Sequence, residues 1–211
     1  MDRDIKKYLF DYMNTYVDMA PEKLEAFIES LPIKAFKKGS MILYQGQQSE
    51  YCVFVIEGCL RQYRVDEDGK EVTSEFYEEG YWINVFNESK DDPVSRYSII
   101  CSEDALLIYS HKNRIEEETS LFPELSHMTA NMLEEKIGEM NESIYSFSAK
   151  SPQDRVETLL NERPGLFKRV PHHQIASYLG LTPESLSRIK KRLNHWLKSM
   201  RKLINFYIIN S

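Results

Sequence analysis

The sequence predicts an α+β protein: an antiparallel β-sandwich or barrel with flanking helices, then a long helix, then a C-terminal helix-turn-helix. Three observations predict it. Short runs rich in β-branched and aromatic residues fill Ile33 to Ser110, punctuated by Gly39, Gly46, Gly58, Gly69 and Gly80. After Asn113 the apolar residues recur at helical spacing instead. From Ser151 a new helix start opens a basic segment that ends in two short amphipathic stretches joined by a glycine turn. At 211 residues and 42% hydrophobic content, the chain can bury two modest cores.

The opening stretch places Ile5, Leu9, Tyr12 and Met13, then Leu24, Phe27 and Ile28, on helical faces interrupted at Pro21, which predicts two short helices. Runs such as Tyr51 to Ile56 and Ser98 to Ile100 then read as strands of a compact antiparallel sheet structure. Between two of them Asp66-Glu67-Asp68-Gly69-Lys70 reads as a hairpin, with the glycine supplying a positive φ. Leu121, Leu125, Met128 and Met132, followed by Leu133, Ile137, Met140, Ile144 and Phe147, step by three and four with one slip between Met132 and Leu133. That pattern predicts one long helix whose apolar stripe rotates, and a helix of about 25 residues spans nearly 40 Å, more than a small barrel covers. A homodimer through this helix, held by Leu125, Met128, Met132, Leu133, Ile137, Met140 and Ile144, is the expectation. Ser151 as N-cap, Pro152 at the first helical position and Asp154 in the first turn then start the next helix.

Charge divides at the same place. From Lys150 to Ser211 there are 12 Lys and Arg against 4 Asp and Glu, a net +8, whereas the remainder of this chain of net charge -6 carries 15 basic and 29 acidic residues, a net -14. A basic module of this kind attracts phosphates, since each neutralised phosphate releases condensed counterions.

The most specific segment runs from His172 to Arg192. Ala176 is small enough for two helices to cross closely, and Gly180, four residues on, suits a tight turn that needs a left-handed residue. Thr182 as N-cap and Pro183 after it start a second helix, which buries Leu186, Ile189, Leu193 and Leu197. Its polar side then carries Glu184, Ser187 and Arg188, related as i, i+3 and i+4, where a recognition helix meets base edges. Arginine can bond guanine O6 and N7 bidentately, glutamate can accept from cytosine N4, and serine adds a short adaptable contact. Lys191 and Arg192, together with His172, His173, Thr182 and Ser185, are candidates for phosphate contacts, which set register without reading sequence.

These motifs resemble the Crp/Fnr superfamily of bacterial transcription regulators, and the resemblance runs over nearly the whole chain. It is carried by the turns Lys38-Gly39, Gln45-Gly46, Ile56-Glu57-Gly58 and Asp68-Gly69-Lys70, and by Ala-Ser-Tyr-Leu-Gly-Leu-Thr-Pro-Glu-Ser-Leu-Ser-Arg from Ala176 to Arg188. The resemblance implies a cyclic-nucleotide-binding-like, cupin-like β-roll over residues 1–112, a dimerisation helix over 113–149 and a winged helix-turn-helix over 150–211. Glu184, Ser187 and Arg188 match the Glu-x-x-Ser-Arg pattern with which the Fnr branch reads TTGA-type half-sites, so a palindrome of similar halves is implied. Double-stranded DNA and a second copy of the chain are then the expected partners, with RNA polymerase and a small-molecule effector as further ones.

Two departures limit the resemblance. No cysteine precedes Cys52, whereas the Fnr iron-sulfur cluster needs an N-terminal cysteine group, so no such cluster is expected. Nucleotide-binding members use Gly-Glu for the ribose and Arg-Ser or Arg-Thr for the cyclic phosphate; here Gly80 precedes Tyr81, Arg96 precedes Tyr97 and Ser98, and the phosphate position aligns with Ser95. Without the fixed cation a buried phosphate is poorly compensated, which argues against cyclic AMP. Tyr81, Trp82, Arg96, Tyr97 and Ser98 are candidates for lining a pocket for another effector.

Other functions find less in the sequence. Cys52, Cys59 and Cys101 lack metal-binding spacing and read as buried free thiols. Ile33 to Ser110 contains no histidine, and neither a nucleophile-base set nor a phosphate-binding glycine loop is found, so no metal, cofactor or enzymatic activity is expected. A cupin-like enzyme and a β-roll interaction module without DNA activity remain as rival readings. No run approaches the roughly 18 apolar residues of a membrane span, and Met1-Asp2-Arg3-Asp4 does not open like a signal peptide, so a cytoplasmic location is expected.

Overall fold

The computed structural model describes residues 3–84, 94–193 and 195. The chain divides into two compact units, Met1–Asn141 and Glu142–Ser211.

In the first unit two helices precede the sheets: α1 (Arg3–Met13) and α2 (Pro21–Ser30). Pro21 starts α2 rather than interrupting one longer helix, because its missing N–H is not needed in the first turn. Eight strands follow: β1 (Ile33–Phe36), β2 (Met41–Leu43), β3 (Tyr51–Glu57), β4 (Leu60–Val65), β5 (Glu71–Tyr77), β6 (Trp82–Asn84), β7 (Ser98–Cys101) and β8 (Ala105–His111). They form two four-stranded antiparallel sheets, ordered β1-β8-β3-β6 and β2-β7-β4-β5.

Strand β3 explains how the layers stack. It is buried along both faces, because Val53 and Val55 enter the core between the sheets while Phe54 and Ile56 enter a second core beneath α1 and α2. An apolar run without alternation is what a strand covered on both sides requires. At Gly58, after β3, the backbone adopts φ +105°, and a Cβ there would lie 2.8 Å from the Ala105 backbone, so only glycine fits this close approach. The β4–β5 hairpin forms where the sequence predicts it: Asp66 Oδ1 accepts from the N–H groups of Asp68 (3.1 Å) and Lys70 (2.9 Å), and Gly69 takes φ +79°.

Beyond β8 the structure departs from the single long helix. Two helices are present, α3 (Lys112–Leu121) and α4 (Glu124–Ala149). Proline cannot donate at position 123 and crowds the residue before it out of the helical region, so Phe122 takes φ -128° and ψ 83° and the chain restarts. The apolar spacing had continued across this break. The division between the two units falls inside α4.

The second unit contains α5 (Pro152–Glu162), α6 (Leu166–Arg169), α7 (His172–Tyr178) and a helix over 183–193, termed α8. Ser151 and Asp154 form a reciprocal capping box at the start of α5, each side chain meeting the other residue's backbone N–H. The wing expected near the C-terminus, and Leu197, lie outside the described residues.

Candidate nucleic-acid interface

The second unit is built around a small core that fixes α7 and α8. Val156 and Leu159 of α5, Leu166 of α6, Ile175 and Ala176 of α7, and Leu186, Ile189 and Leu193 of α8 are all buried. Helix α7 ends at Tyr178 with Leu179 as its C-cap, Gly180 takes φ +67°, and Leu181 N–H returns 2.8 Å to the Ala176 carbonyl. Thr182 then caps α8, its hydroxyl oxygen accepting from Ser185 N–H at 3.2 Å. The left-handed glycine and the buried Ala176 are thus the features that join two helices through so short a turn.

Burial of Leu186, Ile189 and Leu193 leaves the other side of α8 outward. There Pro183, Glu184, Ser187, Arg188 and Lys191 line one shallow open depression of about 520 Å³. Three of these, Glu184, Ser187 and Arg188, are the expected base readers, so the structure brings them together, with Lys191 beside them. The Glu184 carboxyl is held below its usual value by a backbone N–H and by the Thr182 hydroxyl, so at neutral pH it is an ionised acceptor. Arg188 donates through Nη2 to Ser185 Oγ at 3.3 Å.

The expected phosphate contacts separate into two groups. Lys191 and His173 are exposed, as such contacts need. Arg192 is exposed but donates to Gln153 Oε1 at the start of α5, so it ties two helices of its own chain. Burial and the positive charge of Lys190 lower the His172 pKa from 6.5, so at pH 7 this ring is neutral and could meet a phosphate only as a hydrogen-bond donor. Lys190 lies 4.3 Å from the centre of the Phe167 ring.

In the first unit the five candidate effector residues are not gathered. The Trp82 ring lies 4.8 Å from Phe54 and packs on the core beneath α1 and α2, outside the space between the sheets. Tyr81 meets Tyr77 edge to face at 6.0 Å. Ser98 belongs to the opposite sheet, where its buried hydroxyl accepts from Gln45 N–H at 3.0 Å. Arg96 is exposed, and Tyr97 donates its N–H to Ser95 Oγ at 3.1 Å. The pocket expectation fails for Trp82 because neighbouring strand residues point to opposite faces: Ile83, not Trp82, enters the core between the sheets.

Sequence reasoning missed a buried cation on the same roll. Arg61, 4% exposed, pairs with Glu71, donates to Thr73 Oγ1 at 3.3 Å and lies 4.2 Å over the Tyr63 ring. Glu71 and Thr73 lie ten and twelve residues away across the β4–β5 hairpin, so the strand register is what brings them to Arg61. The three cysteines are buried and form no disulfide; burial pushes Cys52 up to about 12 and Cys101 up to about 11, which leaves these two thiols protonated. Among the described residues no group of three or more His, Cys, Asp or Glu side chains could hold a metal ion. No described helix is long and apolar enough to cross a membrane.

Of the expected dimer contacts, Leu125 is 4% exposed and belongs to the core that also holds Leu24, Phe27 and Ile28, so it is spent within its own chain. Ile137 and Ile144, seven residues apart, are 58% and 65% exposed, and Tyr145 beside them is 63% exposed. The side chains of Met128, Met132, Leu133 and Met140 lie outside the described set.

Two antiparallel sheets closed over one core, with helices before and after, define a β-roll of the cyclic-nucleotide-binding class, and a family model for the cyclic nucleotide-binding domain matches residues 33–119. The cyclic AMP receptor protein of Thermus thermophilus is 23% identical over 177 residues, covering 81% of each chain. Among solved structures, FixK2 from Bradyrhizobium japonicum aligns with a TM-score of 0.68 at 19% identity, over 79% of this chain and 85% of its own. The c-di-GMP responsive global regulator CLP of Xanthomonas campestris aligns at 0.64 with 15% identity, over 83% and 92%. These similarities agree in fold with the resemblance of its motifs to the Crp/Fnr superfamily.

Proposed function

We propose that this protein is a homodimeric transcription regulator that binds DNA sequence-specifically, reading a TTGA-like palindrome through α8. The observation that carries the reading is the division of α8 into two sides. Leu186, Ile189 and Leu193 anchor one, and Glu184, Ser187, Arg188 and Lys191 are presented together on the other. An ionised carboxylate and a guanidinium one helical turn apart can read cytosine and guanine in the major groove, while Lys191 meets a phosphate. The basic charge of this part of the chain supports that assignment.

Dimerisation runs through α4, where exposed Ile137 and Ile144 repeat at seven residues. A second copy supplies the second reading helix, and productive binding needs the two about 34 to 36 Å apart, one turn of duplex. An effector or partner that changes this spacing controls binding. Tyr81 in place of the family's ribose-binding glutamate, and Ser95 at its phosphate position, favour an effector other than cyclic AMP. RNA polymerase is the further partner for such a regulator, which acts without enzymatic chemistry of its own.

Titration of a labelled duplex with two TTGA-type halves one turn apart, against a scrambled duplex, over about 50 to 200 mM salt tests this reading. Two chains per duplex, preference for the palindrome and a linear fall of log K with log salt are expected. Equal binding to both duplexes, without dependence on salt, would contradict it.

A further inference from the structure

Three residues on α8 form a chain of contacts that base reading alone does not explain. Thr182 accepts Ser185 N–H at 3.2 Å as the helix cap, and its hydroxyl donates to Ser185 Oγ at 3.2 Å. Ser185 Oγ in turn accepts from Arg188 Nη2 at 3.3 Å. Residues 182, 185 and 188 follow one another at steps of three, so the contacts run along one side of the helix. Ser185 is half-buried whereas Glu184 and Arg188 are exposed, so the serine sits low on the helix and the arginine extends above it.

We propose that Ser185, itself fixed by the Thr182 cap, is a positioning residue that orients the Arg188 guanidinium for base reading before DNA arrives. The proposal rests on the regulator reading and changes the part given to Ser185, which the sequence suggests for a phosphate contact. Free arginine side chains sample many rotamers, and freezing one on binding costs affinity for the right sequence. A serine three residues earlier removes part of that cost in advance. The contact leaves the reading fork intact: guanidinium carries five N–H donors, Ser185 takes one on Nη2, and four remain, two of which suffice for guanine O6 and N7. Among the described residues Lys191, farther along the same exposed side, has no counterpart to Ser185, as befits a contact that needs charge but no fixed geometry.

The test compares Ser185→Ala, Ser185→Thr, Arg188→Ala and the Ser185→Ala/Arg188→Ala double variant in the full chain. Affinity is measured for the palindrome, for single-base changes in its half-sites and for a scrambled duplex. Ser185→Ala should lower half-site discrimination roughly three- to ten-fold, the range of one hydrogen bond, with scrambled-duplex affinity and salt slope unchanged. Ser185→Thr should restore discrimination, and in the Arg188→Ala background Ser185→Ala should cost nothing more. A uniform loss on all duplexes, or a loss that persists without Arg188, overturns the proposal. NMR of the DNA-free protein gives a second arm: the Arg188 Nε–H signal should lose order in Ser185→Ala, and unchanged order also overturns it. If that ordering is present but wild type prefers no duplex, the regulator reading fails instead, and the specificity role of Ser185 fails with it.

Discussion

The Trp82 ring packs 4.8 Å from the Phe54 ring, tilted by 41°, on the side of the sheet that faces α1 and α2. Its indole Nε1 is buried without a hydrogen-bond partner. Trp82 therefore contributes packing and carries an unpaired donor at some cost. Trp82→Ala should destabilise the fold by about 2 to 3 kcal/mol, less than a fully buried aromatic because the residue is only half-buried. Trp82→Phe, which keeps the ring contact and removes the unpaired N–H, should fall within about 1 kcal/mol of wild type. Urea unfolding measures both; a Phe variant as unstable as the Ala variant would show that the indole N–H is engaged.

The capping box at Ser151 gives a pH prediction. Hydrogen bonds from the Ser151 side chain and backbone hold the Asp154 carboxyl below its usual 3.8. A carboxyl depressed on folding contributes stability that is present above the unfolded value and lost as pH falls through the folded one. The stability advantage of wild type over Ser151→Ala should be constant from neutral pH to about 5 and shrink below about 4. Thermal unfolding between pH 2 and 7 checks this; an advantage that grew on acidification would contradict the box.

Two variants separate the surface of α4 from its buried start. Ile137→Glu with Ile144→Glu places charge on exposed positions, so the fold should hold while the proposed dimer dissociates. Leu125→Ala, within the core beneath α1 and α2, should cost roughly 2 to 5 kcal/mol of fold stability and leave any dimer intact. Sedimentation velocity beside circular dichroism distinguishes them; a double Glu variant that still sediments as a dimer would move the interface elsewhere.

Much of this arrangement was legible in the sequence where it rests on local chemistry. The hairpin at Asp66 to Lys70, the Ser151-Pro152 start and the Gly180 turn rest on local chemistry: an Asx contact, a cap, a left-handed glycine. Such features depend on neighbours in sequence and read out directly. The break at Phe122-Pro123 was also local, but the apolar spacing ran across it and concealed it. Trp82 faces the helices because it and Ile83 are consecutive on β6, and strands send consecutive side chains to opposite faces. The Arg61 cluster depends on register across a hairpin, which no local pattern encodes. In α8 the exposed readers followed from where the leucines lay, whereas the contact of Arg188 with Ser185 required coordinates.

In the proposed complex Arg188 reads a base while Lys191, one turn farther along the same exposed side, meets the backbone. Titration of Arg188→Ala and Lys191→Ala against matched and mismatched duplexes at several salt concentrations tests it most directly. Arg188→Ala should lose roughly 1 to 3 kcal/mol of discrimination at one half-site position, and Lys191→Ala should weaken every duplex alike and reduce the salt slope by about 1. Equal losses from both variants on every sequence would contradict the assignment.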